Sequence, residues 1–316
     1  MLLSAYRSEK PPHAFLLVGP KGIGKATLAY RMARFVLAHP DAAASEVRAA
    51  TSLAIGPQHP VARRMTAKAH PGLLVIERTP NEKGVMRQQI AVDDVRRTVK
   101  FFGTTAGEGG WRVAVVDAVD ELNRFGANAL LKVLEEPPTR SLLLLVCHSP
   151  ARVLPTLRSR CCVVNMRPLA QADVAAALAA AVGEATDAAD INGAAAAGDG
   201  SVGRALEFLD EDMLTLRRHA LAELDRLPTL DANALHALGE ALAGTDPRPL
   251  GAFLDTVNAW MSRRLDPGAG DLARLAALAG AWQRINQAAQ DALEYNLERK
   301  PLVFSVFGVL AEATRG

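Results

Sequence analysis

The stretch Phe15-Leu16-Leu17-Val18-Gly19-Pro20-Lys21-Gly22-Ile23-Gly24-Lys25-Ala26-Thr27 constrains this chain more than any other. An apolar run stops at a glycine, a short loop follows, and a helical pattern begins at Lys25. That is the G-x-x-x-x-G-K spacing of a phosphate-binding loop (P-loop) in its strand–loop–helix setting. Gly22 and Gly24 let main-chain N–H groups turn inward, and the positive end of the helix adds to them. Gly19, Gly22 and Gly24 thus frame an anion site, with Lys25 placed on the β/γ-phosphates. Where such loops hold Mg²⁺, the next residue is Ser or Thr; here it is Ala26. Thr27 substitutes poorly, because one step along a helix turns the side chain by roughly 100°. The spacing predicts a loop that cradles phosphate but is badly equipped to hold the metal.

Further along, strands are expected at 14–18, 73–76, 111–117, 142–147 and 161–164, separated by helices at 25–37, 92–102 and 122–136. Strands that are apolar throughout and alternate with helices indicate a parallel sheet covered on both faces. Residues 1–13 read as short and polar, 39–70 as a surface insertion, and 80–89 and 104–110 as loops. After Pro168 the composition shifts: 169–207 is rich in alanine without a strand pattern, and from about 209 everything is helical. One apolar stripe is Leu235, Leu238 and Leu242; another is Leu272, Leu275, Leu278, Trp282 and Ile285; Pro301 is expected to open the last helix. The fold class is α/β followed by all-α, with domains at 1–167, 168–208 and 209–316.

A chain of 316 residues has room for these domains, and its 36 basic and 34 acidic residues give no sign of a strong nucleic-acid or membrane-surface binder. No apolar run reaches the length of a membrane span and no signal-peptide layout opens the chain, so a cytoplasmic protein is expected. Cys147, Cys161 and Cys162 lie in apolar runs; their number and placement suit a reducing compartment and neither a disulfide framework nor a zinc site.

A P-loop ATPase also needs an acid at the end of a neighbouring strand. Asp117 closes Val113-Ala114-Val115-Val116 and fits the Mg²⁺-side aspartate. The residue after it, where a glutamate would activate water, is Ala118; Asp120 and Glu121 lie past the strand end and are expected to point elsewhere. Two separate losses thus argue against hydrolysis. Downstream, Arg158 and Arg160 precede the last strand, either as surface charge or as a planar guanidinium offered to a phosphate on a neighbouring protein.

Four stretches carry a resemblance to a known family. They are residues 13–28, Asn128-Ala129-Leu130-Leu131-Lys132-Val133-Leu134-Glu135-Glu136-Pro137-Pro138, Leu154-Pro155-Thr156-Leu157-Arg158-Ser159-Arg160-Cys161, and Gly200-Ser201-Val202-Gly203-Arg204-Ala205-Leu206. On them the chain resembles the delta-prime family of bacterial DNA polymerase III clamp-loader subunits, which are AAA+ proteins. The resemblance implies an AAA+ domain, a small helical lid and a helical collar that joins subunits into a ring with gamma/tau and delta. It implies that Arg160 of the Ser-Arg-Cys motif acts in trans on ATP held by gamma/tau, helping to load the sliding clamp onto primed DNA. It also implies a stationary subunit with no required cofactor, in which the loop retains at most residual ATP or ADP binding. Three departures weaken nucleotide or metal binding: residues 39–70 hold no cysteine for the family's zinc module, Gly203 stands at the sensor-two arginine position beside Arg204, and only 18 residues precede Gly19. The rivals are an active gamma-like ATPase and a stand-alone nucleotide-binding switch or DNA-repair AAA+ protein.

Overall fold

The computed structural model describes the chain except for residues 81–86, 88, 104–109, 184–185, 266–271, 296 and 316 and the side chains of 272–274, 293 and 294. The loops expected at 80–89 and 104–110 therefore fall largely outside the described residues, as does the Leu272 side chain. The chain divides into two compact units, Met1–Pro168 and Leu169–Gly316.

In the first unit the elements are α1 (Leu2–Tyr6), β1 (Ala14–Val18), α2 (Lys25–Ala38), α3 (Ser45–Ala49), α4 (Pro60–Thr66), β2 (Leu73–Glu77), α5 (Val92–Gly103), β3 (Arg112–Asp117), α6 (Arg124–Glu135), β4 (Ser141–Cys147), α7 (Pro155–Arg158) and β5 (Cys162–Asn165). Among the described residues the strands form one parallel sheet in the order β2-β3-β4-β1-β5. Alternate residues of each strand face opposite layers. Phe15 and Leu17 meet Ala29, Met32, Ala33 and Val36 of α2, while Leu16 belongs to the layer of Val95 of α5 and Leu130 and Leu134 of α6. Central strands carry no polar face for this reason: all seven residues of β4 are buried.

Three stretches differ from expectation. Residues 2–6 form α1, whose Leu2 and Tyr6 are buried; the Tyr6 ring packs edge-on against Phe35 and Trp111, and its hydroxyl donates to His39 C=O at 2.5 Å. Within 39–70, α3 and α4 each bury one residue, Val47 and Ala62, so part of the insertion joins the core. Asn123 caps α6 by accepting from Gly126 N–H at 2.9 Å, which starts that helix two residues later than the pattern suggests.

The second unit is helical among its described residues: α8 (Gln171–Val182), α9 (Ala188–Ala197), α10 (Val202–Glu207), α11 (Glu211–Asp225), α12 (Ala232–Ala241), α13 (Pro247–Arg264), α14 (Leu272–Glu294) and α15 (Arg299–Arg315). The last helix begins two residues before Pro301. Asp187, Ser201, Asp210, Asp231 and Asp246 each cap a helix start, a contribution of about 1 kcal/mol apiece. One apolar cluster runs from Val174 to Ala313 and includes Phe253, Trp260 and Phe307. No helix of the described residues is long and apolar enough to cross a membrane.

Candidate functional site: a phosphate loop and a remote arginine

The loop after β1 is anchored by Gly19 N–H on Cys147 C=O at 3.3 Å. A Cβ on Gly19 would lie 2.6 Å from Met166 C=O, so only glycine fits there. Gly22 and Gly24 have φ of 78° and 92°, in the left-handed region that glycine enters freely. Lys25 opens α2 and is 3% exposed; its Nζ donates to Gly19 C=O at 2.6 Å and Pro20 C=O at 2.5 Å. Burial lowers its pKa, opposed by the charges of Asp120, Cys147 and Asp117. The ammonium thus closes the loop upon itself, held by main-chain dipoles that an incoming phosphate can displace. Thr27 is exposed on the outer side of α2, lining a hollow with Tyr30, Arg31 and Arg34.

Asp117 ends β3 beside Glu77 of β2. Burial raises its pKa, as does the Glu77 charge, while Lys25 and Arg78 lower it. Ala118 is 1% exposed and packs in the apolar layer that contains α2. A carboxylate at this position would be desolvated at its base. The loop and its lysine fit a phosphate, whereas the alanines at 26 and 118 do not fit a metal-assisted hydrolytic site. Among the described residues no group of three or more His, Cys, Asp or Glu side chains could hold a metal ion.

Asp120 departs from expectation. The turn at Val119–Glu121 folds it back, and its carboxylate accepts from His148 N–H at 2.9 Å and Ser149 N–H at 3.0 Å, just beyond β4. It is 7% exposed, and its charge is the foremost influence raising the pKa of Lys25. Beside it, the His148 Nδ1 is buried without a hydrogen-bond partner, and burial followed by the Lys25 charge pushes the imidazole down to about 4. Sequence reasoning missed both residues. Asp120 meets partners 28 and 29 positions away, which no local spacing announces.

Arg160 lies between α7 and β5. Its Nη2 pairs with Glu135 Oε1 at 2.9 Å and its Nη1 donates to Thr156 C=O at 3.0 Å, leaving the side chain 37% exposed. β1 and β5 are parallel neighbours, with Phe15 beside Cys162 and Val18 beside Asn165. The P-loop follows the end of β1, and Arg160 precedes the start of β5, so the sheet separates them by about 13 Å of strand. The structure therefore brings together Gly19, Gly22, Gly24, Lys25 and Asp117, and keeps Arg160 away from them. In the second unit, Arg204 is engaged locally: its Nη2 donates to Asp199 Oδ2 at 2.7 Å, an oxygen also contacted by Arg217 at 3.3 Å.

A parallel sheet with this strand order, a glycine loop between β1 and α2 and an aspartate ending β3 defines a P-loop α/β protein of the AAA+ type. Residues 1–170 match the family described as DNA polymerase III, delta subunit, and the chain belongs to that family. It is 41% identical over 152 residues to DNA polymerase III subunit delta' of Pseudomonas aeruginosa, covering 47% of this chain and 41% of that protein. To the subunit delta' of Yersinia pestis it is 35% identical over 160 residues, covering 51% and 43%. DNA polymerase III subunit gamma/tau of Mycobacterium tuberculosis is 30% identical over 151 residues, covering 47% of this chain and 23% of that protein. Each of these matches thus spans less than half the length of the relative.

Proposed function

We propose that the chain is a non-hydrolysing delta-prime subunit of the DNA polymerase III clamp loader. It assembles with gamma/tau and delta through a collar at 209–316, carries a small lid at 168–208, and lends Arg160 to nucleotide held by a neighbouring gamma/tau subunit. The ring so completed loads the sliding clamp onto primed DNA. The observation that carries this reading is an arginine at one end of the sheet and, at the other, a loop lacking the metal hydroxyl and the water-activating acid. With that loop, Lys25 and the glycines retain ATP or ADP binding at most, without turnover. A gamma-like ATPase would require Ser or Thr at 26 and an acid at 118, where both residues are alanine.

The test is reconstitution with gamma/tau and delta, comparing wild type with Arg160→Ala and Arg160→Lys at matched assembly. Arginine fingers are worth about 10³–10⁵ in rate at a single site in the best-studied switches, so a ring with several sites loses a smaller share of its total. Arg160→Ala is expected to assemble normally but to lower clamp- and DNA-stimulated ATPase and the loading rate, with lysine rescuing only partly because it lacks the planar fork. Wild-type rates in a fully assembled Arg160→Ala complex would falsify the trans role. The isolated chain is expected to show no ATP turnover that disappears in Lys25→Ala.

A further inference from the structure

The outer edge of β2 opens onto a groove that the phosphate loop and Arg160 do not use. β2 ends the strand order, and among the described residues no strand pairs with its outer side. The register decides which main-chain groups face outward. Val113 N–H donates to Gly72 C=O at 2.8 Å. In a parallel pair alternate residues bond the neighbour, so Leu74 and Ile76 serve β3 while Val75 and Glu77 turn their N–H and C=O groups away from the sheet. The first outward donor, Leu73 N–H, is taken by His70 C=O at 3.1 Å.

The groove has a volume of about 410 Å³ and is lined by Leu73, Val75 and Glu77 of this edge together with Tyr30, Lys68 and Arg97. A second hollow of about 360 Å³ shares Tyr30, Met65 and Thr66 with it and continues past Arg31 and Arg34. Along the two, Arg31, Arg34, Lys68 and Arg97 stand with one lining carboxylate, Glu77, and of the four Arg97 also pairs with Asp94 at 3.5 Å, which leaves the grooves net basic. The Arg34 Nε is buried without a hydrogen-bond partner. Lys68 stands at a left-handed position, φ 53°, that closes α4: its N–H donates to Met65 C=O and Ala69 N–H donates to Arg64 C=O. Glycine is the usual residue in that motif, because a Cβ in the left-handed region crowds the following carbonyl.

We propose that this groove takes an extended acidic segment of a partner protein, which joins the outer edge of β2 as a further strand. Its main chain bonds Val75 and Glu77, its carboxylates meet the four cations, and its apolar residues lie against Tyr30 and Met65. A peptide main chain offers the donor and the acceptor that this edge requires. A nucleic-acid backbone offers phosphate acceptors and would leave the Val75 C=O unmet.

The test uses the full chain and a fluorescein-labelled twelve-residue peptide of alternating Glu and Val, read by anisotropy. Three comparison probes are the same peptide N-methylated at alternate residues on either register, and a twelve-nucleotide oligo-dT. The plain peptide is expected to bind saturably, more weakly as salt rises, and to slow amide exchange at Val75 and Glu77. Lys68→Glu with Arg97→Glu should weaken it about tenfold. Val75→Pro removes an outward N–H without touching the β3 ladder and should weaken it about fivefold. Lys68→Gly should weaken binding while leaving the melting temperature equal or higher. Equal affinity for both N-methylated peptides, or for oligo-dT, overturns strand addition. So does an absence of saturable peptide binding, or unchanged exchange at Val75 and Glu77.

Discussion

Two buried cations, one in each unit, are satisfied in opposite ways. Lys25 is 3% exposed and among the described residues hydrogen-bonds only main-chain carbonyls, those of Gly19 and Pro20, while Asp120 and Asp117 act on it through space. Arg217 is 6% exposed and bonds a carboxylate, Asp199, which it shares with Arg204; its guanidinium also lies 5.1 Å from the centre of the Phe208 ring. Burial lowers the pKa of both. The difference teaches what each charge is for. Carbonyl dipoles can be exchanged for a phosphate, so on the proposed reading the lysine is held ready. A carboxylate partner cannot leave without stranding two guanidinium groups, so the arginines are fastened.

The comparison breaks most sharply at Asp199. Asp199→Asn keeps a residue that tolerates the left-handed backbone there, φ 47°, yet removes the charge between the arginines. The Arg217 side chain is 7% exposed but that of Asp199 is 31% exposed, so solvent screens the pair and losing the charge costs about 2 kcal/mol, which urea denaturation will read as a lower midpoint. A midpoint that does not move would mean the second unit does not depend on that carboxylate.

At the phosphate loop the expected effect is smaller. Lys25→Met leaves the Gly19 and Pro20 carbonyls without their donor and should cost about 1 kcal/mol. It should also abolish any binding of a fluorescent ADP analogue; binding that survived would place the anion site elsewhere.

Acidity sharpens the picture beside the same loop. The His148 pKa is depressed in the folded chain to about 4, from an ordinary 6.5, so the unfolded chain takes the proton first as pH falls. His148 therefore contributes stability that is present above pH 6.5 and is lost through pH 4. Urea midpoints across that window should fall more steeply for wild type than for His148→Asn, and identical slopes would remove the imidazole from the account.

The smallest change is expected at Asp117. Its folded pKa is raised, so its ionised form is disfavoured by folding at neutral pH, and that penalty fades as acid protonates it. Asp117→Asn should raise the melting temperature slightly at pH 7, with the gain shrinking on acidification. A loss at pH 7 would show that the carboxylate makes a net favourable contribution.

The parts of the molecule legible in the sequence were those with local causes. Strand β1 matches its expected bounds, because a buried parallel strand is a continuous apolar run ended by a glycine. Ala26 and Ala118 are read equally directly, since each missing oxygen belongs at a fixed step from Lys25 or Asp117. Helix α1 was not legible: five residues are too few to show a period, and Tyr6 is held by Phe35 and Trp111 from far along the chain. The Glu135–Arg160 pair shows the same limit, with each residue inside a recognisable motif and nothing in either motif naming the other.

The parallel pairing of β1 with β5 has a consequence for symmetry. With the glycine loop at one end of the sheet and Arg160 at the other, the protomer is a directional building block, and a contact of Arg160 with the loop of a neighbour would be heterologous. Identical copies joined that way must close a ring or grow a filament. On the proposed reading, this chain keeps the donor end and has a deficient acceptor end. It is therefore a terminus in the chemical order of the assembly, and sets a direction in which firing can be counted.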